Sequence, residues 1–437
     1  MTNYQIVNDN PERAFLIGAD LKGSFPLLSI KDSLDELALL AQTAGMVVVG
    51  RASQHVGQID PATFIGSGKI EEIKQELEAS DTQVIIFDDE LSPRHQRELE
   101  KRFGEKYKLL DRSALILDIF AQHAQTREGA LQVELAQYEY RLPRLTRQWT
   151  HLARQAGGGA TQGGSGGVGL RGPGETQLEV DRREISRKIT KLKSDLEDVR
   201  AHRGRYRANR TRAQVPVVSL VGYTNAGKST LFRALTGADV YVADQLFATL
   251  DPTTRRIELP SGRHVLLTDT VGFIQKLPTT LIAAFRATLE EVVEADVILH
   301  VVDASHLNVL QHIEAVEDTL AELDVPAVPR ILVWNKTDAL EDAPHPTYAD
   351  AGEEYMAQVS ISALKQQGIE ALMEVIEQAV ASSAYHVQLL LPYDRGDLIS
   401  SLHESATVEN QQHTENGVII TVQLSPTLYE QYKKYKI

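Results

Sequence analysis

Eight consecutive residues constrain this chain more than any others: Gly222-Tyr223-Thr224-Asn225-Ala226-Gly227-Lys228-Ser229. Glycine, four free positions and Gly-Lys-Ser form the spacing of a phosphate-binding P-loop. Val215 to Val221 precedes it and reads as a buried parallel strand, while Thr230 to Leu235 reads as the start of a helix. Strand, loop and helix in that order are the context the motif needs. The glycines let the backbone wrap closely round an anion, with successive N–H groups and the helix N-terminus facing it. In this reading Lys228 reaches the β- and γ-phosphates, the Ser229 hydroxyl ligates Mg²⁺, and Thr230 lies among the nucleotide contacts.

The predicted fold class is α/β in several domains. A length of 437 residues suggests about three of them. From Arg13 to Gln125 strand and helix signals alternate: strands at Ala14–Ile17, Met46–Gly50 and Val84–Phe87, helices at Ser33–Thr43, Lys69–Leu77 and Pro93–Phe103. That alternation predicts a parallel sheet covered by helices. Ile65-Gly66-Ser67-Gly68-Lys69-Ile70 imitates a second phosphate loop, but its first position is off pattern and Ile70 stands where Mg²⁺ needs a hydroxyl. It reads as a turn capping the Lys69 helix.

From Leu131 the period changes. Leu131, Leu135, Tyr138, Leu142, Leu145, Trp149 and Leu152 are spaced alternately four and three apart, a heptad seam that Pro143 should kink or break. Leu178, Ile185, Ile189, Leu192, Leu196 and Val199 form a second seam. The glycine-rich stretch Ala156–Gly174 joins them, which predicts an antiparallel helical hairpin within one chain. The expected domains are 1–127 (small α/β), 128–212 (hairpin with a glycine-rich tip), 213–381 (P-loop domain) and 382–437 (small α+β).

Charge is uneven. The net charge is −15, yet Arg141 to Arg212 holds seventeen Lys/Arg against seven Asp/Glu. A basic segment in an acidic protein predicts one surface facing a polyanion such as folded RNA. Arg154 and Arg171 edge the tip, and Arg200, Arg203, Arg205, Arg207, Arg210 and Arg212 surround Tyr206. Those arginines suit phosphate and stacking contacts, or equally a solvated helix face. The chain has no cysteine, so disulfides and thiolate metal sites are excluded. A polar N-terminus and the lack of a long apolar run predict a cytoplasmic protein with no membrane span.

Three further motifs follow the P-loop in order. Asp269-Thr270-Val271-Gly272 ends a strand, with the acid placed for Mg²⁺ through a water and the Gly272 N–H for the γ-phosphate. Asn335-Lys336-Thr337-Asp338 ends another. An Asp338 carboxylate accepts from guanine N1–H and the exocyclic amine, a donor pair that adenine lacks. Ser362-Ala363-Leu364 would close over the base. Four ordered motifs predict a GTP hydrolase. Phe247-Ala248-Thr249-Leu250-Asp251 is the expected switch segment; Thr249 is the chosen Mg²⁺ threonine, with Thr253 and Thr254 as competitors. Lys228, Thr249 and Gly272 are the expected catalytic residues. Phe273 stands where Ras-like enzymes carry a water-orienting glutamine. Asn225 could hold a monovalent cation such as K⁺, or simply brace the loop.

These stretches resemble the HflX family of translational GTPases. The likeness is carried also by Gln132-Val133-Glu134-Leu135-Ala136-Gln137, Leu142-Pro143-Arg144-Leu145, Gly172-Pro173-Gly174-Glu175-Thr176-Gln177-Leu178-Glu179, Asp181-Arg182-Arg183 and Asp88-Asp89-Glu90-Leu91-Ser92-Pro93. It runs over about residues 10–380, the tail being similar only in size and place. The resemblance implies a GTPase that binds the large ribosomal subunit and splits stalled ribosomes; a monomer, cytoplasmic or peripherally membrane-associated, is expected. It also places the Mg²⁺ threonine on Thr249. Competing readings are a large-subunit assembly factor and a nucleotide-sensing RNA-binding module.

Overall fold

The computed structural model describes residues 11–23, 26–147, 173–212, 215–237, 246–247, 249–277, 291–323, 325–340, 354–382, 385–414, 416–424 and 426–437. The chain divides into two compact units, one of residues 1–198 with 276–284, the other of 199–275 with 285–437.

The first unit holds a four-stranded parallel sheet in the order β2 (Val47–Val56), β1 (Arg13–Leu21), β3 (Val84–Phe87), β4 (Lys108–Asp111). Both central strands bury four or more consecutive residues, as strands covered on two faces do. The helices are α1 (Ile30–Thr43), α2 (Ser67–Ala79), α3 (Pro93–Phe103), α4 (Arg112–His123) and α5 (Arg127–Arg141). Side chains cap four of these five: Ser29, Ser92, Asp111 and Thr126 each accept an N–H of the first turn. The exception is α2, which begins at Gly66, where the glycine N–H donates to Gln54 Oε1 at 2.9 Å. Lys69 there is engaged with Glu72 at 2.6 Å, so the false phosphate loop is a turn opening a helix. The sequence reading missed β4 and α4. A four-residue strand running straight into its helix leaves no turn signal to separate them.

The heptad seams meet within the chain. Leu131, Leu135, Tyr138 and Leu142 pack with Ile185, Ile189, Leu192 and Leu196 of α6 (Pro173–Arg212), and Lys193 pairs with Glu139 at 2.9 Å. Pro143 ends α5, the chain continuing as a 3-10 turn over Leu142–Arg147. Trp149, Leu152, Arg154, Arg171 and the tip 156–172 lie outside the described residues, as do the side chains of Leu178, Tyr206 and the arginines from 200 to 212.

At the carboxyl ends of β3 and β4 sits a largely buried ionic cluster. Arg112, 1% exposed, pairs with Glu36 and lies 3.6 Å from Asp88. Lys276 completes it, with Nζ 2.5 Å from Asp88 Oδ2 and 2.6 Å from Asp89 Oδ1. Burial pushes the Asp88 carboxyl up, but Arg112 and Lys276 outweigh it and hold it low; Asp89 is raised by burial. Arg112→Met should leave Glu36 and Asp88 as buried charges with one cation fewer, costing this unit about 3–5 kcal/mol. Scanning calorimetry should show one transition moved down in temperature and the other unmoved; an unchanged trace would mean that water compensates both acids.

The second unit carries a six-stranded sheet in the order β10 (Ala357–Ser360), β9 (Arg330–Asn335), β8 (Val297–Asp303), β5 (Val217–Val221), β7 (His264–Asp269), β6 (Thr253–Glu258). All neighbours are parallel except β6, which is antiparallel to β7. Along β9, Ile331 and Val333 join the core under α7 (Lys228–Thr236) and α9 (Ile369–Ser382). Leu332 and Trp334 join a second core with Ile313 of α8 (Val309–Glu322). Helices thus cover both faces, as the P-loop context required. Beyond it, β11 (Tyr385–Leu391), β13 (Gly417–Leu424) and β12 (Thr407–Thr414) form an antiparallel sheet. With α10 (Gly396–Ser405) and α11 (Pro426–Tyr432) it encloses a core of its own around Leu389, Leu402, Ile420 and Leu428. Among the described residues no helix is long and apolar enough to cross a membrane.

Candidate functional site

The carboxyl ends of parallel strands are where such sheets bind ligands. Here β5 ends into the loop Gly222–Ser229, beside Asp269 at the end of β7 and Asn335 at the end of β9. Two glycines are obligatory. At Gly222, φ is +150° and a Cβ would lie 2.2 Å from the Val301 carbonyl oxygen. At Gly227, φ is +91° and a Cβ would lie 2.2 Å from Asn335 Nδ2. Asn225, at the exposed crest, is also left-handed at φ 58°.

Lys228 is buried at the start of α7. Its Nζ donates to the carbonyls of Gly222 at 3.0 Å and Tyr223 at 2.8 Å. Burial lowers its pKa to about 8, against the opposing pull of Asp269. The loop thus folds its own lysine back onto its first two carbonyls.

Next to it, three oxygens converge. Ser229 Oγ lies 2.8 Å from Thr249 Oγ1, and Asp269 Oδ2 accepts from Ser229 at 2.8 Å and from Thr249 at 3.0 Å. Asp269 Oδ1 is buried without a protein partner, and burial raises the carboxyl pKa. Two hydroxyls and a carboxylate with a spare lone pair are the hard oxygen set that Mg²⁺ takes. The competing threonines lie elsewhere: Thr253 and Thr254 are in β6, where Thr254 Oγ1 meets Thr268 Oγ1 at 3.0 Å. Phe247, at φ 56°, and Leu250 are buried and hold the segment; Ala248 lies outside the described residues.

The segments Asn335–Asp338 and Ser362–Leu364 are tied to the P-loop. Asn335 Nδ2 donates to the Ala226 carbonyl at 2.9 Å and Asn335 Oδ1 accepts from the Ala363 N–H at 3.0 Å. Ser362 Oγ donates to Asp338 Oδ1 at 2.6 Å, while Thr337 Oγ1 donates to the Ile361 carbonyl at 2.9 Å. Lys336, at φ 60°, reaches Asp303 at 2.8 Å, and Leu364 is exposed beside them. Gly272 packs against the loop, where a Cβ would lie 2.9 Å from Thr224 Cα and 3.0 Å from Lys228 Nζ. Thr270 and Val271 are buried, the Thr270 hydroxyl donating to the Leu220 carbonyl at 2.6 Å.

Two residues escaped the sequence reading. Asp303 ends β8, a strand whose apolar run Val297–Val302 was legible but unassigned. His312 stacks on Tyr223 with ring centroids 3.9 Å apart and planes 2° apart. Burial lowers the His312 pKa to about 4, so the stacked ring is neutral near pH 7.

Comparison with known proteins fits this geometry. The models described as GTP-binding GTPase N-terminal and GTP-binding GTPase Middle Region match residues 31–121 and 123–210. A 50S ribosome-binding GTPase model matches residues 217–336, and the HflX C-terminal domain model matches 349–433. GTPase HflX of Caldanaerobacter subterraneus is 44% identical over 93% of this chain and 91% of its own. The chain belongs to the HflX family of GTPases. Escherichia coli GTPase HflX is likewise 44% identical, over 89% of this chain and 88% of its own. A GTP-binding protein from Sulfolobus solfataricus, solved with GDP, is 23% identical over 85% of this chain and 99% of its own, with a TM-score of 0.44. The match at 349–433 corrects one expectation, since the family likeness extends through the C-terminal sheet. As a member of that family the chain is a GTP hydrolase, and its P-loop domain is the family's GTPase domain.

Proposed function

We propose that this GTPase binds the large ribosomal subunit in its GTP form and separates the subunits of stalled ribosomes in the cytoplasm, hydrolysis releasing it. The observation that carries the reading is the convergence of Ser229, Thr249 and Asp269 beside Lys228 and Gly272. Thr249 belongs to one mobile-type loop of GTPases and Gly272 to another, so a γ-phosphate between them would be the ligand that distinguishes two states. The matched 50S ribosome-binding model and the basic segment supply the partner. Lys228 would turn from its loop carbonyls to the β- and γ-phosphates, its positive charge meeting the charge that develops there. Ser229 and Thr249 would hold Mg²⁺, with Asp269 accepting from its water; the ion neutralises phosphate charge when bound. Asp338 would read guanine, Ser362 steadying the carboxylate and Asn335 the loop behind it. A K⁺ near Asn225 belongs to the same proposal, as do the glycine-rich tip as an rRNA contact and a monomeric state.

Purified protein should hydrolyse GTP slowly alone and at least tenfold faster with large ribosomal subunits, since activation in trans commonly supplies 10³-fold or more. Replacing Gly163–Gly167 by a short turn should abolish the stimulation and leave the unstimulated rate. Measured in potassium and in sodium buffers, a rate unmoved by subunits but raised by potassium would refute the ribosomal trigger and locate the missing help in the cation.

A further inference from the structure

Phe273 leaves a gap in the hydrolytic apparatus, because an apolar ring cannot orient water and this one is buried at 4% exposure. Its backbone is held instead. The Thr224 N–H donates to the Phe273 carbonyl at 2.7 Å, and the Phe273 N–H donates to the Gly222 carbonyl at 3.1 Å. Tyr223 and Phe273 thereby form a parallel bridge, a two-residue strand pair between the P-loop and the segment after Gly272. Two residues on, the Gln275 N–H donates to the Tyr223 hydroxyl at 2.9 Å. Immediately beyond, Lys276 turns left-handed at φ 54°. The phenol thus grips the amide two residues after Phe273.

The Tyr223 side chain is 4% exposed, and its ring lies flat on His312 of α8. His312 is in turn flanked by His306, with centroids 4.3 Å apart. Only tyrosine combines a face for that stack with a hydroxyl long enough to reach the Gln275 amide. Phenylalanine would keep the stack and lose the bond.

We propose that Tyr223 is a positioning residue for GTP hydrolysis, its hydroxyl anchoring Gln275 so that Gly272 and the Phe273 backbone are held at the γ-phosphate. The His312 ring sets the direction of that hydroxyl. Backbone anchoring replaces the orienting side chain that position 273 lacks. The inference concerns hydrolysis itself and stands apart from the ribosomal reading, so its test contains no ribosomal subunit.

Single-turnover GTP hydrolysis by the full chain should fall roughly five- to tenfold in Tyr223→Phe, the effect of losing one neutral hydrogen bond from the transition-state arrangement. Affinities for fluorescent GDP and for a non-hydrolysable GTP analogue should stay within about twofold of the parent, so that kcat moves and binding does not. His312→Ala should reproduce the loss, His312→Phe should restore most of it by returning a flat ring, and Tyr223→Phe with His312→Ala should be no worse than either alone. An unchanged or increased rate in Tyr223→Phe would overturn the proposal. So would parallel losses of GDP and GTP-analogue affinity, which would make Tyr223 a general support of the loop.

Discussion

Lys228→Ala should lower kcat/KM for GTP by roughly 10²–10³-fold, the usual cost of removing one preorganised donor from a site of developing charge. The ammonium is buried against two loop carbonyls and under the pull of Asp269. A pH signature accompanies the loss. With its pKa lowered to about 8, the lysine of the nucleotide-free protein is charged below that pH and increasingly neutral above it. Phosphates restore the charge, so binding takes up a proton above pH 8, and GTP affinity should fall there by up to about tenfold per pH unit. Below pH 8 this group should give no slope, and in Lys228→Ala the slope above 8 should vanish. For folding the sign is opposite: a lysine depressed from 10.5 imposes a cost that is full below pH 8 and relieved as pH rises toward 10.5. Isothermal titration with GTP between pH 7 and 9.5, in two buffers of different ionisation heat, measures affinity and proton uptake together. A lysine residue already saturated by Asp269 would show neither.

Asp338→Asn should change the preferred base. The carboxylate accepts two bonds where guanine donates two; the amide presents one donor and one acceptor, which suits the C2 carbonyl of xanthine. Losing two charge-assisted bonds at roughly 1.5–3 kcal/mol each predicts a fall in GTP affinity of about 10²–10⁴-fold, with xanthosine triphosphate gaining in its place. The variant should fold normally, because Ser362 Oγ can still donate to an asparagine carbonyl where it now meets Asp338 Oδ1. Competition of the two triphosphates against fluorescent GDP reads the ratio directly. If that ratio did not move, the base would have to lie away from Asp338 and the Asn335–Ser362 brace would be only a structural junction.

What could be read without coordinates was local. The P-loop announces itself because its chemistry needs fixed residues at adjacent positions: Gly222 against a carbonyl, Gly227 against Asn335, Lys228 and Ser229 at the helix start. The heptad seams were legible for the same reason, since 3.5-residue spacing is a property of one helix at a time, and Leu135 and Leu192 meet as that spacing implied. Strand β3 was read to the residue because turn-forming residues bound it on both sides. Where a strand runs into its helix with no such punctuation, as Lys108–Asp111 runs into Arg112, the reading failed.

Other facts exist only once the chain has folded. Sequence alone preferred Thr249 without excluding Thr253 and Thr254; an antiparallel edge strand holds those two, while Thr249 lies beside Ser229 and Asp269. Nothing along the chain links Arg112 to Glu36 and Asp88, or Tyr223 to His312 eighty-nine positions later; the carboxyl ends of parallel strands gather them. Spacing in sequence encodes which atoms one turn of backbone can present. Which distant atoms then share a low-dielectric pocket, and so shift a lysine to about 8 or hold a phenol against an amide, is decided by strand order and by the packing of helices on the sheet.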